Sequence, residues 1–411
     1  MATLHLLSPR GFRATGLYAG IKSRNAPDIG LLVCETRAAA AAVFTTNKVV
    51  AAGVKIGRRH IADGRLRGVV VNSGNANACT GRRGERDAMR MCQLAAEVID
   101  CPKDDVLCSS TGIIGHHLPM EKIDAGILDC GKYLGDSLEH ALLFADAILT
   151  TDTKRKAAAV EFKIGRDVVS IAGVCKGSGM IGPRLALHSG SDARKVKHAT
   201  MLAYLTTDAL ISPTLLRKLI AQAVQTSFNT VTVDDHASTN DTAAILASGA
   251  SAAKIDSAKS IAGFTKGLDE VCQSLAYQIA ADGEGATKVV VVKVIGAASE
   301  EAARAMARTI ANSPLVKCAM NGNDPNWGRI VSAAGFAGVP FDPDRCALKL
   351  QGTTVFRNGQ PVPFDAAKVS EALRAKEVTA ELICRGGKGT ATVWTCDLSK
   401  DYVTINADYH T

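Results

Sequence analysis

The chain has 411 residues, of which 47% are hydrophobic and 21% charged, and its formal net charge is +8 at pH 7. This length suggests two or three structural units, and this apolar content excludes a wholly disordered chain. Aromatic residues make up only 4% of the sequence, and most basic residues stand among acidic ones. The composition therefore disfavours a nucleic-acid-binding protein and suits small anionic substrates.

In chain order, the hydrophobic pattern predicts strands and helices throughout the sequence. The predicted elements are a strand at Gly68–Asn72, helices at Glu85–Ile99, Asp136–Leu149, Thr214–Ser227 and Gly267–Ala281, a strand at Lys288–Gly296, a helix at Glu300–Ser313, and strands at Ala391–Cys396 and Tyr402–Asn406. Ser212 before Pro213 is a typical helix start, and so is Ser299 before two glutamates. This mixture is compatible with an α/β fold.

Neither the first residues nor the cysteines indicate export or metal binding. The first twenty residues lack the apolar core of a signal peptide, and no apolar stretch is long enough to span a membrane. The twelve cysteines contain no C-x-x-C pair and form no zinc-like pattern with the nine histidines. We therefore expect a soluble, cytoplasmic protein without a metal site and without a membrane partner.

Five loops combine glycine with polar residues. They are Asn72–Gly81, Ser109–Gly115, Lys176–Gly182, Asp282–Lys288 and Asn321–Arg329. Any one of them alone is typical of a plain turn. None matches the phosphate-binding loop or the dinucleotide fingerprint, so nucleotide-phosphate binding is disfavoured. Several such loops with Ser, Thr, Asn, Lys and Glu side chains indicate a composite site for a small ligand.

Threonine is the unusual candidate nucleophile in this sequence. The serine-hydrolase and zinc-protease motifs G-x-S-x-G and H-E-x-x-H are both missing, whereas threonine recurs in short polar motifs. A threonine hydroxyl needs a neighbouring base, and a threonine that begins a chain has its own α-amine for this purpose. An internal threonine gains that amine only if the chain is cut directly before it.

Ten short motifs carry a resemblance to a known family. They are NSGNANACTG at 72–81, STGIIG at 110–115, TTDT at 150–153, KGSGMIGP at 176–183, ATML at 199–202, TTDA at 206–209, ASTNDT at 237–242, GEGATK at 283–288, NGNDPNWGR at 321–329 and NADYHT at 406–411. In these motifs and their order the chain resembles, over nearly its whole length, the ornithine acetyltransferase family of arginine biosynthesis. Its members are glutamate N-acetyltransferases, and many are bifunctional.

The resemblance implies an α/β fold of stacked β-sheets flanked by helices, of the self-processing N-terminal-nucleophile-like type, with a smaller C-terminal α/β lobe within roughly 290–400. It also implies self-cleavage between Ala199 and Thr200. The products would be an α chain, 1–199, and a β chain, 200–411, which share the main core and pair as an α2β2 heterotetramer. The apolar MLAYL segment after Thr200 would form a buried strand.

The resemblance also implies the site residues. Thr200 would be the nucleophile, with its freed amine as base, and Thr111 and Gly112 would form the oxyanion hole. The implied substrate-binding residues are Thr150, Lys176, Thr200, Glu284, Asn406 and Thr411. Among them, Lys176 suits a carboxylate and Glu284 an ammonium group. Because the motif begins with a threonine doublet, Thr151 could replace Thr150.

The implied reaction moves an acetyl group from N2-acetylornithine to glutamate through acetyl-Thr200 and needs no cofactor. Whether acetyl-CoA also serves as a co-substrate stays open. Two alternatives also stay open: a self-processing aminopeptidase or amidase with water as the acceptor, and an unprocessed basic binding protein. Transfer of acetyl, release of acetate and absence of turnover would distinguish the three.

Two segments depart from the family pattern. Pro183 and Thr200 are 17 residues apart, so Arg184–His198 contains an insertion of about 13 residues. As a loop, such an insertion lowers the free energy of unfolding only slightly, because the entropic cost of loop closure grows slowly with length. Its basic ARKVK stretch is expected to be solvated. Asp234–Asp235–His236 stands where the family more often has Asp-Gly-Asp, and His236 is expected to be a structural turn residue. Both departures leave the efficiency of self-cleavage and the choice of substrate open.

Overall fold

The computed structural model of the protein describes residues 3–187 and 201–408, which divide into two compact units. The first unit contains the described residues up to 229 together with 236–275, and the second contains 230–235 and 276–408. Each unit is built around its own mixed β-sheet with helices packed against it. The α/β class is therefore confirmed.

The first unit contains an eight-stranded sheet. Its strands are β1 (Phe12–Leu17), β2 (Ile29–Phe44), β3 (Arg65–Asn75), β4 (Val106–Ile113), β5 (Lys156–Ile164), β6 (Asp167–Lys176), β7 (Leu202–Thr207) and β8 (Thr242–Ala247). Their order is β4-β3-β2-β8-β7-β6-β5, with β1 also paired to β2. The pairs β3–β4 and β7–β8 are parallel, and the other pairs are antiparallel. Strands from both sides of position 200 thus share one sheet.

Helices cover both faces of this sheet. They are α1 (Ala52–His60), α2 (Gly81–Ile99), α3 (Met120–Cys130), α4 (Leu138–Ala147), α5 (Pro213–Ala223) and α6 (Ala258–Ala281), the last of which continues into the second unit. Met91 of α2 belongs to the core on one face, and Phe144 of α4 to the core on the other, where its ring meets Tyr204 edge-on at 5.6 Å. Because both faces of this sheet are buried, β3 contains a continuous run of β-branched residues and not an alternation of apolar and polar residues.

The second unit contains a six-stranded sheet in the order β12-β11-β10-β13-β9-β14. Its strands are β9 (Val289–Ala297), β10 (Ala347–Leu350), β11 (Thr353–Arg357), β12 (Gln360–Pro361), β13 (Glu377–Ile383) and β14 (Gly389–Cys396). Its helices are α7 (Glu300–Asn312), α8 (Pro314–Asn321), α9 (Trp327–Gly335), α10 (Ala366–Ala372) and α11 (Lys400–Asp408). The buried face of α7, which includes Met306 and Ile310, packs against β9 and β14.

Most predicted elements are confirmed. The strands predicted near 70, 290 and 393 are β3, β9 and β14, and the MLAYL segment lies in the fully buried β7. The five predicted helices correspond to α2, α4, α5, α6 and α7, although α6 begins at Ala258 and not at Gly267. Ser212 and Ser299 cap α5 and α7, because their hydroxyls accept hydrogen bonds from backbone N–H groups of the first helical turn.

The strand predicted at Tyr402–Asn406 is wrong, because this segment lies in helix α11. Its β-branched Val403 and Ile405 are 63% and 36% exposed, so they fill no sheet face. Tyr402 and Asn406, four residues apart, share one face of the helix and both make side-chain hydrogen bonds. These contacts override a local β propensity that is weak in itself.

None of the helices in the described residues has the length and apolarity that a membrane crossing requires.

Candidate active site

The two predicted oxyanion-hole residues lie at the end of β4, beside the end of β3. In this parallel pair, Ser73 is opposite Thr111 and Gly74 is opposite Gly112. The motifs that follow these strands, 72–81 and 110–115, therefore lie next to each other. Thr111 is buried, with 1% of its surface exposed. The structure thus brings two of the motifs to one place.

Gly112 occupies a position that only glycine fits. Its φ is +132°, and a Cβ atom added to it would lie 2.3 Å from the carbonyl carbon of Gly74. L-residues rarely adopt this φ, and no heavy atom tolerates so short a contact. The close approach of the two backbones explains why the STGIIG motif has a glycine at this position.

Asn240 joins these two motifs to the segment before β8. Its side-chain NH2 group donates hydrogen bonds to the carbonyls of Ala76 at 2.6 Å and Ser110 at 2.7 Å. Its amide oxygen accepts a hydrogen bond from the Thr239 hydroxyl. Asn240 is not among the site residues predicted from the sequence. The only signal was its place in the ASTNDT motif.

The chain directly after the predicted nucleophile is held by backbone contacts. The buried Asp241 carboxylate accepts a hydrogen bond from the N–H of Met201, and the N–H of Thr242 donates to the Met201 carbonyl at 3.0 Å. Asp241 is likewise missing from the predicted site residues. Thr200 itself, Ala199 and almost the whole insertion lie outside the described residues.

Lys176 ends β6 and is paired with Leu202 of β7, two residues after the predicted nucleophile. Its side chain is buried, and its Nζ lies 3.9 Å from Oδ2 of Asp152. The equally buried Lys156 has its Nζ 2.6 Å from Oδ1 of the same carboxylate. One buried carboxylate therefore lies between two lysines.

Asp152 is the central group of this arrangement, and it is not among the site residues predicted from the sequence although it is part of TTDT. It also accepts a hydrogen bond from the N–H of Gly177 at 2.7 Å. Burial raises the pKa of Asp152, but Lys176, Lys156 and the Gly177 N–H together hold it well below its usual range. Asp152 is therefore ionised and orders the start of the KGSGMIGP motif.

Thr150 lies in the same cluster through its backbone. Its N–H donates to Oδ2 of Asp152 at 3.1 Å, and its carbonyl accepts from Nη2 of Arg24 at 2.8 Å. Thr150 and Thr151 are both half-buried. Their exposure does not distinguish between them, so the choice between the two threonines stays open.

In the second unit, Glu284 and Asn406 are in direct contact. The Asn406 side-chain NH2 group donates to Oε2 of Glu284 at 2.9 Å. A Cβ atom on Gly285, whose φ is +68°, would lie 2.4 Å from the backbone nitrogen of Tyr402. The GEGATK loop and α11 therefore pack closely. Thr411 lies outside the described residues.

The Asp234–Asp235–His236 segment forms a bend. Asp235 has a φ of +55°, in the left-handed region, which aspartate tolerates better than most residues. Its carboxylate lies 3.3 Å from Nη2 of Arg308, and the Asp234 carboxylate accepts from the Tyr402 hydroxyl at 3.3 Å. His236 is exposed. The aspartate thus occupies the backbone position for which the more usual glycine is suited.

Within residues 3–187 and 201–408, no three His, Cys, Asp or Glu side chains are placed to hold a metal ion, and no disulfide bond is formed.

Comparison with known proteins identifies relatives over the whole chain. The model of the ArgJ family matches residues 13–411. An arginine biosynthesis bifunctional protein ArgJ from Rhodopirellula baltica is 43% identical over 413 residues, covering 100% of this chain and 97% of that protein. The protein of the same name from Thermus thermophilus is 46% identical over 404 residues, covering 98% of this chain and 99% of that protein.

Two solved structures are similar over part of the chain. The arginine biosynthesis bifunctional protein ArgJ from Bacillus halodurans is 42% identical with a TM-score of 0.43, covering 44% of this chain and 95% of that chain. The ornithine acetyltransferase from Mycobacterium tuberculosis, crystallised with ornithine, is 36% identical with a TM-score of 0.40, covering 44% of this chain and 96% of that chain.

Proposed function

The chain belongs to the ArgJ family and is an acetyltransferase of arginine biosynthesis, and we propose that Thr200 carries the acetyl group from N2-acetylornithine to glutamate. Identity of 43% and 46% over nearly the full length of bifunctional relatives is the observation that carries this assignment. It favours acetyl transfer over hydrolysis and over a non-catalytic binding role.

The nucleophile would be produced by self-cleavage. Thr200 Oγ1 attacks the Ala199 carbonyl, the C–N bond breaks, and the nitrogen takes up the hydroxyl proton. Water then opens the ester, so residue 199 ends in a carboxylate and Thr200 has a free amine. The contacts of Met201 with Asp241 and Thr242 support this step, because they hold the chain directly after the reacting residue.

The freed amine would then act as general base. Its unperturbed pKa of about 7.7–8.0 lies near neutral pH. The amine accepts the hydroxyl proton while Oγ1 attacks the acetyl carbonyl, and it returns this proton to the α-nitrogen of the departing ornithine. In the second half-reaction the amine of glutamate attacks the acetyl ester, the bond between Oγ1 and the acetyl carbon breaks, and the Thr200 amine passes the proton lost by the glutamate nitrogen to Oγ1. Thr111 and Gly112 would stabilise the oxyanion in both halves, and the backbone approach that requires Gly112 supports that role.

Lys176 would bind a substrate carboxylate. The position of Lys176 at the end of β6, opposite Leu202 and close to the predicted nucleophile in the chain that follows, supports this role. The loop at Thr150 would complete this pocket. Glu284 would bind the side-chain ammonium group of ornithine, and Asn406, which donates to its carboxylate, and Thr411 would complete the set of substrate-binding residues.

The assembly and the second activity are also proposals. The cut chains would pair as an α2β2 heterotetramer in the cytoplasm. The reaction would need no cofactor, and acetyl-CoA would be a further acetyl donor, because the relatives are named bifunctional.

One experiment tests the proposal. Purified protein is incubated with N2-acetylornithine, with and without glutamate, and its mass is measured under denaturing conditions. We expect two chains in place of one of 42.9 kDa, and N-acetylglutamate only when glutamate is present. Thr200→Ala should abolish both cleavage and transfer, whereas the exposed Thr353→Ala should change neither. Acetate release that does not depend on glutamate would instead identify a hydrolase.

A further inference from the structure

A cavity of about 320 Å³ lies in the first unit, between the second half of β2, α1 and α5. Its lining includes Phe44, Arg58, Asp63 and Arg217. The lining contains none of the residues proposed above for catalysis or substrate binding. The cavity is therefore a separate feature of the molecule.

Arg58 is the unusual residue of this cavity. Its Nη2 donates to the carbonyl of Thr45 at 2.7 Å, and its guanidinium carbon lies 6.0 Å from the centre of the Phe44 ring. Its Nε is buried and has no hydrogen-bond partner, and no carboxylate pairs with Arg58 within the described parts of the chain. Burial of the guanidinium lowers the pKa of Arg58.

A desolvated guanidinium without a counter-ion is costly, because arginine keeps its charge at any physiological pH. The other charged side chains of the lining do not neutralise it. Asp63 is in an ion pair with Arg37, whose Nη2 lies 2.6 Å from its Oδ2, and Arg37 also pairs with the buried Asp105 at 2.8 Å. Arg217 adds a second positive charge, so the cavity lining has two cations and one acidic side chain, an excess of one positive charge.

We propose that this cavity binds a small oxyanion, a carboxylate or a phosphate, with Arg58 as its main partner and Arg217 as a second cation. The ion would accept a hydrogen bond from Nη1 of Arg58, the terminal guanidinium nitrogen that Thr45 leaves unused. Arginine is a usual partner of carboxylate and phosphate groups in proteins.

The readout should be binding and not activity. The N–H of Thr45 donates to the Asp241 carbonyl at 2.8 Å, and Asp241 contacts Met201. Removing the Arg58 guanidinium could therefore disturb the start of β7 for purely structural reasons. Arg217→Met leaves the hydrogen bond between Arg58 and Thr45 in place and provides an independent variant.

The experiment is calorimetric titration of the full-length protein with inorganic phosphate and, separately, with malonate at constant ionic strength. We expect saturable binding of at least one ion, weakened about tenfold or more by Arg58→Met and to a smaller degree by Arg217→Met. Arg357→Met, at an exposed arginine of the second unit, and Lys176→Met, in the proposed substrate site, should both retain it.

The dissociation constants of the two ions distinguish the two ligand classes: tighter binding of phosphate indicates a phosphate site, and tighter binding of malonate indicates a carboxylate site. No saturable binding of either ion to the unmodified protein would overturn the proposal. Equal binding by Arg58→Met and the unmodified protein would overturn it as well, as would loss of binding in Lys176→Met alone.

Discussion

At the scale of single residues, Asp152 shows how a buried ion cluster can organise a loop, here the one that we propose to bind substrate. Its two oxygens contact Lys156, Lys176 and two backbone N–H groups, so the carboxylate fixes the positions of both lysine side chains and of the adjoining backbone. Taking a carboxylate out of water is expensive, and only these contacts offset the cost. The cluster thereby orients Lys176 before any substrate binds.

We expect Asp152→Asn to destabilise the protein by about 3–5 kcal/mol, because two buried lysines lose their shared counter-charge. The folded-state pKa of Asp152 lies below its unfolded value of about 3.9. Its stabilising contribution is therefore fully present above that value and is lost as the pH falls towards the folded-state pKa. Urea unfolding between pH 3 and pH 7 measures this, and the variant should lose less stability on acidification than the unmodified protein.

We expect Thr111→Val to lower kcat by about 10²–10³-fold and to change KM little, because the hydroxyl would act on charge that develops only in the transition state. Valine matches threonine in shape, so the buried site stays filled. Initial rates at varied N2-acetylornithine measure the effect, with Thr353→Val as the control. An unchanged kcat would remove Thr111 from the oxyanion hole.

The sequence could indicate some of these residues and not others. Thr111, Gly112 and Lys176 stand in motifs whose family roles are recognisable. Asn240 and Asp241 act through backbone groups far away in the chain, such as the carbonyl of Ser110. No local pattern reveals such partners, because only the fold brings them together.

At the scale of elements, helix α11 shows the limit of local propensity. Its residues favour a strand by composition, but Tyr402 and Asn406 become neighbours only on a helix, and their partners lie in other segments. The helices with a clear apolar period and a serine cap, such as α7, could be predicted almost to the residue. Helix α7 is marked by signals within its own sequence, the serine cap and the apolar period, whereas α11 depends on contacts with distant segments.

We expect Gly285→Ala to displace α11 and to raise KM for N2-acetylornithine at least tenfold, because the new Cβ would lie 2.4 Å from the Tyr402 nitrogen. Gly338→Ala is the matched control. Gly338 has the same φ of +68° but no atom within 4 Å of its Cβ position, so it isolates backbone strain from the clash. Equal kinetic effects of the two variants would show that the contact with α11 does not matter for the substrate.

At the scale of the whole molecule, the proposed cleavage site lies within the connection between two neighbouring strands. β6 precedes it, β7 follows it, and the two pair directly, while β8 pairs with β2 from the N-terminal half. A cut before Thr200 therefore separates the chain without separating the sheet. The motifs could predict the position of the cut, whereas the strand order could not be derived from the sequence, since pairing depends on contacts between distant segments.

This topology predicts that the cut chains stay together without denaturant. We expect one species in native mass spectrometry, at about twice the 42.9 kDa of a single chain if the α2β2 assembly forms, and two chains of 199 and 212 residues after denaturation. Strand pairing on both sides of the cut buries many apolar side chains, so dilution alone should not release either chain. Thr200→Ala should give the same native mass and a single denatured chain. Dissociation of the cut protein on dilution would contradict the shared sheet.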